Sequence, residues 1–537
     1  MSSVALWTAL PLTLALLAQV DPLAPTHGVK STEQIDQEWQ ASVSKYDAPR
    51  DALLAEADRQ SHDGPYRPDW ETLRNYPIPQ WYKDAKFGIF LHWGIYAVPG
   101  AVNEWYPHNV YQPGDPAYEH FQSHYGSFEK LGYKDFIPMF RADKWDPADW
   151  AALFRQAGAR YVIPVAEHHD GFSMYDSQLS DWTVVKMGPH RDTLADLAQA
   201  VRKVGLHFGL SSHRAEHNYF FDNGRSIRSD VNDPKYASLY GPAHPWMTNP
   251  HFESWNDWTY VSEAWTRDWL ARAVELVEKY KPEIVYFDGG IGQPVFRPKV
   301  AEFAAFYYNF AHKNNFPAII NFKDYSLEWT AGARDFERSM RNDIEKREWQ
   351  TDTSMSNKSW GYMEQDDLKS AESLVHQLVD TVSKNGNLLL NIGPRPDGTI
   401  PDQVRTTLLD IGAWLRRNGE AIYGTQAWKV YGEGPTPIPT GFASDQNVKP
   451  FAAADYRFTR KGDTIYAISL GCPADGTASI HSLGLAGPAK GLVIQDVSLL
   501  GSSEKIPWLQ TTEALNVKLP QDSGCRYGFA LRVKTTQ

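Results

Sequence analysis

The sequence predicts an α/β protein in two parts: a (β/α)8-like TIM barrel over residues 81–425 and a C-terminal antiparallel β-sandwich over residues 426–537. Three observations predict it. From Lys86 onward, short β-rich apolar runs alternate with helical patterns roughly every 40 residues, which calls for parallel strands joined by crossover helices. Polar residues follow those runs: His92 after KFGIFL, His168 and His169 after YVIPVAE, His213 after HFGLSS, Asp288 after EIVYF and Asn391 after NLLL. A closed barrel gathers all strand C-termini on one face, whereas the open doubly wound alternative lacks its main signature, because no G-x-G-x-x-G follows a strand. Beyond about residue 426, two alternating runs flank Lys461-Gly462-Asp463, and short strands punctuated by Gly, Pro and Ser continue to the end.

In chain order, residues 1–20, MSSVALWTALPLTLALLAQV, have the length and apolar character of a secretory signal peptide, although no Lys or Arg precedes the apolar run. The expected destination is secreted or periplasmic. Pro11 and the short length argue against a membrane span, and no later stretch has the eighteen uncharged apolar residues such a span needs, so no membrane association is expected. Residues 21–80 read as a helical extension, with an amphipathic helix in STEQIDQEWQASVSKY and a Pro-containing connector ending at NYPIPQW. The expected barrel strands lie in KFGIFLHW, RYVIPVAEHH, HFGLSS, EIVYFDG, PAIINF and NLLLNIG. Between them come the helices PADWAALFRQAG, TLADLAQAVRKVG and WTRDWLARAVELVEKY, the first two closed by a Gly suited to the left-handed position after a helix. The helix PDQVRTTLLDIGAWLRRNGEAIYGT then ends the barrel region.

At 537 residues the chain exceeds what one core supports. A formal charge of −12 without a Lys/Arg block argues against nucleic acid as a partner. The 20 Trp, 27 Tyr and 24 Phe recur in polar settings such as NEWYPHN and WQTDT; indole faces suit sugar C–H faces as well as ordinary cores. The two cysteines, Cys472 and Cys525, permit one disulfide at most, and no C-x-x-C zinc spacing occurs.

Asp288 ends EIVYFDGG, where two glycines let the chain turn and leave the carboxylate at the barrel mouth, as a nucleophile or base or as a helix cap. A second acidic cluster, RDFERSM, follows about fifty residues later. Glycoside hydrolysis needs two carboxyl groups in different environments, one ionised and one protonated, and Asp288 and Glu337 can divide those roles. Asp335, Asp343, Glu345, Glu348 and Asp352 compete with Glu337 for the second. His92, His168, His169 and Asp170 offer either metal ligation or hydrogen bonds to hydroxyls. Adjacent histidines on an extended strand point to opposite faces, and the first strand lacks the H-x-H pair of metal-dependent barrels, so no metal is expected. Glu104-Trp105 pairs an acceptor with an indole platform. Trp349, Trp360 and Trp182 are equally ambiguous between a sugar platform and core packing, the default for most tryptophans.

Together these residues make the chain resemble glycoside hydrolase family 29, the α-L-fucosidases, over approximately residues 80 to 430. WYKDAKFGIFLHWGIYAVPG and NEWY match the family's opening strand and loop, EHHDGF its double-histidine strand, VYFDGG its nucleophile strand, and SWGYM and NGNLLLNIGPRPDGTIP its late barrel signature. The resemblance implies a retaining exo-α-L-fucosidase without cofactor, acting on a fucosylated glycan, with Asp288 as nucleophile. His92, His168, His169, Glu104 and Trp105 would line the fucose pocket, and His213, Lys323 and Trp349 are assigned to it as well. Two of these depart from the family: the Ser211-Ser212-His213 stretch replaces a tyrosine after the third strand, and Lys323 stands for an arginine after the fifth. Glu337 takes the acid/base role if a short gap aligns RDFERS with the D-F/Y-x-T-x-E stretch of one branch. The two carboxyls should then sit about 5–5.5 Å apart. Alternatives are a glycosidase tolerant of α-L-galactosides, an inactive carbohydrate-binding homologue and a metal-dependent hydrolase.

Overall fold

The computed structural model describes residues 21–246, 259–323 and 325–536; the expected signal peptide lies outside them. Eight parallel strands close into a barrel in sequence order: β1 (Phe87–Leu91), β2 (Tyr161–Glu167), β3 (His207–Ser212), β4 (Ile284–Phe287), β5 (Ile319–Phe322), β6 (Ala333–Asp335), β7 (Trp349–Ser354) and β8 (Gly386–Ile392). Six are the apolar runs read from the sequence. The other two, β6 and β7, carry the polar text ARD and WQTDTS, and apolar patterning does not disclose them. Apart from Arg334, their side chains are buried, but in a hydrogen-bonded interior: Gln350 accepts from Tyr161 Oη at 2.8 Å and donates to Asp335 Oδ2 at 2.6 Å. Barrel interiors usually fill with branched aliphatic layers; here Phe90, Ile163, Ile284 and Leu389 do so around a polar seam.

Crossover helices include Pro147–Gln156, Thr193–Lys203, Glu263–Tyr280, Arg297–Asn314 and Ala371–Ser383. The first two end, as their sequences suggest, at Gly158 and Gly205, whose φ values of 91° and 76° a side chain would oppose. Before the barrel, Thr32–Val43 is helical, started by a capping box in which Ser31 accepts from Gln34 N and Gln34 accepts from Ser31 N. Such a cap contributes about 1 kcal/mol. A further helix, Asp47–Ser61, packs on Glu263–Tyr280 and Arg297–Asn314, with Arg50 Nε 3.2 Å from Asp268 Oδ1.

The C-terminal part has a five-stranded antiparallel sheet in the order β13-β16-β11-β10-β9, comprising β9 (Gln426–Glu433), β10 (Tyr456–Lys461), β11 (Thr464–Ser469), β13 (Val493–Leu499) and β16 (Ala530–Thr536). A three-stranded sheet runs β12 (Thr477–Ile480), β15 (Leu515–Lys518), β14 (Trp508–Gln510). The hairpin at Gly462-Asp463 is the one the sequence announces, with Lys461 opposite Thr464. Cys472 and Cys525 form a disulfide. The sheet covers barrel helices through buried contacts, among them Arg457 Nε to Asp380 Oδ1 at 2.6 Å and Trp414 Nε1 to Gly528 O at 3.0 Å.

Candidate active site

At the C-terminal mouth of the barrel lies a cavity of about 610 Å³. His92 follows β1, His168 and His169 follow β2, His213 follows β3, Asp288 follows β4, Lys323 follows β5, Glu337 stands two residues beyond β6, and Asp352 lies within β7. All eight line the cavity, joined from the loop after β1 by Glu104 and Trp105.

Burial and one ammonium group organise the charged half. Lys323 Nζ sits 2.7 Å from Asp288 Oδ1, 2.5 Å from Glu337 Oε2 and 3.6 Å from Asp352 Oδ2. The first two oxygens both touch one nitrogen, so they lie at most about 5 Å apart, close enough for the two carboxyls to face one small group. Burial by itself would raise the pKa of Asp288; Lys323, then His213 and His169, outweigh it and hold the carboxyl well below the usual range. Glu337 moves the other way. Burial pushes it up to about 7 against the pull of Lys323, with Asp352 and Asp288 adding repulsion. Below about pH 7 the two carboxyls joined by one cation thus hold opposite protonation states.

The remaining acidic candidates separate by position. Glu345 pairs with Arg341, Glu348 pairs with Lys83, and neither these two nor Asp343 lines the cavity. Asp335 and Asp352 line it but are sealed at 2% and 1% exposure, and Tyr286 Oη donates to Asp352 Oδ2 at 2.9 Å. Glu337 keeps a quarter of its side chain open.

The histidine half is neutral by burial. Desolvation holds His92 and His168 well below the ordinary histidine pKa, and lowers His213 against the pull of Asp288. His169 is the exception: burial works downward, but Glu216 and Asp288, each 3.4 Å from one of its ring nitrogens, raise it. His213 Nδ1 lies 2.9 Å from Asp288 Oδ2. Asn391 fixes the His92 tautomer. Its Nδ2 donates to Trp360 O at 2.7 Å, so its Oδ1 faces His92 Nδ1 at 2.7 Å and accepts that proton, which leaves His92 Nε2 an acceptor. Behind the histidines, Glu167 and Arg214 pair at 2.9 Å. Glu167 precedes His168 and Arg214 follows His213, so this buried bond ties the bases of two histidine-bearing loops. Arg272 and Asp268 complete the cluster at 2.9–3.0 Å.

Three expectations need correction. His168 and His169 do not diverge: the strand ends at Glu167, the chain turns, and both rings enter the cavity 4.4 Å apart. The alternation rule holds only along extended backbone. Trp349 is not at the site. It begins β7, is 1% exposed, and donates from Nε1 to Lys384 O at 2.8 Å inside the core. Trp360 occupies the cavity wall instead, 5.3 Å from the His92 ring, held by Glu104, whose Oε2 accepts from Trp360 N at 2.7 Å and Ser359 Oγ at 3.0 Å. Sequence reasoning also omits Glu216, Tyr219, Arg334, Arg341 and Phe442 from the lining; none carries a local signal that marks it out. The two glycines after Asp288 do serve the turn: Gly290 has φ 89°, and a Cβ there would meet Glu216 Cγ at 2.9 Å.

Two sets of ligand atoms lie close enough to hold a cation, His92 with His168 and His213, and His169 with His213 and Asp288, each within 4.8 Å. The same atoms are placed for hydroxyl groups.

Comparison with known proteins agrees with this geometry. Residues 53–420 match the Alpha-L-fucosidase family and residues 449–534 the Alpha-L-fucosidase C-terminal domain. Tissue α-L-fucosidase of Rattus norvegicus is 30% identical over 464 residues, covering 85% of this chain and 89% of that protein. Its Homo sapiens counterpart is 30% identical over 482 residues, covering 88% and 92%. Among solved structures, a Thermotoga maritima α-fucosidase in complex with a mechanism-based inhibitor superposes with a TM-score of 0.70 at 31% identity, over 87% of this chain and all of that one. A barrel whose mouth gathers these carboxyls and histidines, continuous with a matching C-terminal domain, belongs to the α-L-fucosidase family of glycoside hydrolases.

Proposed function

We propose that the chain is a retaining, exo-acting α-L-fucosidase that releases terminal fucose from fucosylated glycans, with Asp288 as nucleophile and Glu337 as acid/base. The observation that carries this reading is the contact of a single Lys323 ammonium with both carboxyls.

In the first step ionised Asp288 attacks C1 of the fucosyl residue and the C1–O bond to the leaving group breaks. Glu337, protonated below pH 7, gives its proton to the departing oxygen. The product is a fucosyl ester on Asp288. Esterification removes the Asp288 charge, so Lys323 is left to act on Glu337, whose pKa falls; Glu337 then takes a proton from water as the water attacks C1 and Asp288 leaves as carboxylate. His92 Nε2 accepts from a sugar hydroxyl. His168 Nδ1, buried without a hydrogen-bond partner among the described residues, is positioned to gain one from the ligand. Trp105, Trp360 and Phe90 supply apolar wall for a sugar that carries a methyl at C6.

The disulfide supports an oxidising destination, secreted or periplasmic. No helix among the described residues is long and apolar enough to cross a membrane.

The test is E337A. It should lose activity on fucosides with poor leaving groups far more than on fucosyl fluoride, and azide should restore turnover as α-L-fucosyl azide, with net retention. Equal loss on both substrates, with no azide adduct, would remove Glu337 from the role. EDTA should leave the wild-type rate unchanged; loss restored by a divalent cation would favour the metal reading of the histidine clusters.

A further inference from the structure

Among the described residues only three aromatic side chains are exposed: Trp246 at 39%, Tyr325 at 75% and Phe442 at 77%. All three lie at one place. Trp246 and Phe442 line the mouth of the catalytic cavity, and Tyr325 stacks at 4.4 Å on Arg334, which lines it too. A single exposed aromatic needs no explanation; confinement of every one to one rim does.

Phe442 comes from outside the barrel, in the segment between β9 and β10, and is held where it stands. Ser339 Oγ donates to Gly441 O at 2.6 Å and Met340 N to Ser444 Oγ at 2.8 Å. Asp445 N donates to Arg338 O at 3.0 Å, and its side chain accepts from Thr353 Oγ1 at 2.5 Å and from buried Lys369 Nζ at 2.6 Å. Gly441, at φ 103°, makes the turn that presents Phe442. Three of these bonds grip residues 338–340, the stretch directly after Glu337, and the Asp445 side chain adds Thr353 in β7 and Lys369. The group that protonates the leaving oxygen must face the leaving side, so a ring clamped beside it stands on that side.

We propose that Phe442, with Tyr325 on Arg334, forms a subsite for the hexopyranose to which fucose is attached, the C–H face of that sugar stacking on the phenyl ring. The inference rests on the reading of Glu337 as acid/base. It makes the connecting segment of the C-terminal part a determinant of which glycans are cleaved, while the fucose pocket stays within the barrel.

The test compares kcat/KM on α-L-fucosyl fluoride, which has no leaving sugar, with that on the best-cleaved member of a set of α1,2-, α1,3-, α1,4- and α1,6-linked fucosyl oligosaccharides. In F442A the oligosaccharide-to-fluoride ratio should fall about tenfold, and in F442W it should stay within about twofold of wild type. An unchanged ratio in F442A, or wild-type enzyme that cleaves the fluoride but no oligosaccharide, would overturn the proposal. Wild type inert toward the fluoride would instead overturn the function proposed above.

Discussion

The two halves of the barrel mouth use one physical condition, burial, to opposite ends. On the side of β1–β3, desolvation keeps His92, His168 and His213 neutral, so they offer donors and acceptors without net charge. On the side of β4–β7, the same desolvation would neutralise both acids, but Lys323 and the neighbouring histidines hold Asp288 ionised while Glu337 rises to about 7. On the reading proposed above, recognition needs only burial, whereas chemistry needs burial plus one well-placed cation.

The largest effect that can break this contrast is loss of the ionised carboxylate. D288N should lower kcat by roughly 10⁴-fold with the fold intact, as removal of an essential nucleophile does. Next comes Lys323. K323M should lower kcat/KM by roughly 10²-fold, and K323R should recover much of it. Lys323 lowers both carboxyl pKa values, so K323M should move both limbs of the pH profile upward. In wild type, kcat/KM should fall as pH rises through about 7, where Glu337 loses its proton, and the acid limb, set by Asp288, should lie well below the ordinary carboxylate range. A basic limb unmoved in K323M would show that Glu337 does not govern it.

The neutral half should respond less. H92F removes one acceptor and should cost roughly 10- to 100-fold in kcat/KM without moving either limb, because His92 carries no charge at working pH. The smallest effect belongs to Trp349. W349F should leave kcat within about twofold and lower stability by about 1 kcal/mol through loss of the bond to Lys384 O, measured by denaturant unfolding.

Legibility in the sequence follows the same division. The strands of the histidine half, and β4, β5 and β8, are apolar runs ending in a polar residue, so both strand and site residue can be read directly. Those carrying Asp335 and Asp352 are polar, because Gln350 and Asp335 hydrogen-bond across the barrel interior, and no period-two apolar signal survives. Glu337 was therefore one of six acidic residues until the fold placed it beside Lys323. Trp349 and Trp360 are equally plausible from sequence; what separates them is whether an indole begins a strand at the closed end or sits past its open end. Phe442 lies about a hundred residues from Glu337, and only the clamp on residues 338–340 brings it to the mouth.

The central claim is that Asp288 attacks the anomeric carbon within reach of Glu337. Incubation with 2-deoxy-2-fluoro-α-L-fucosyl fluoride, followed by proteolysis and mass mapping, tests it most directly. A single fucosyl adduct on Asp288, formed in step with loss of activity, is the predicted result; an adduct on any other residue, or turnover without an adduct, would contradict it.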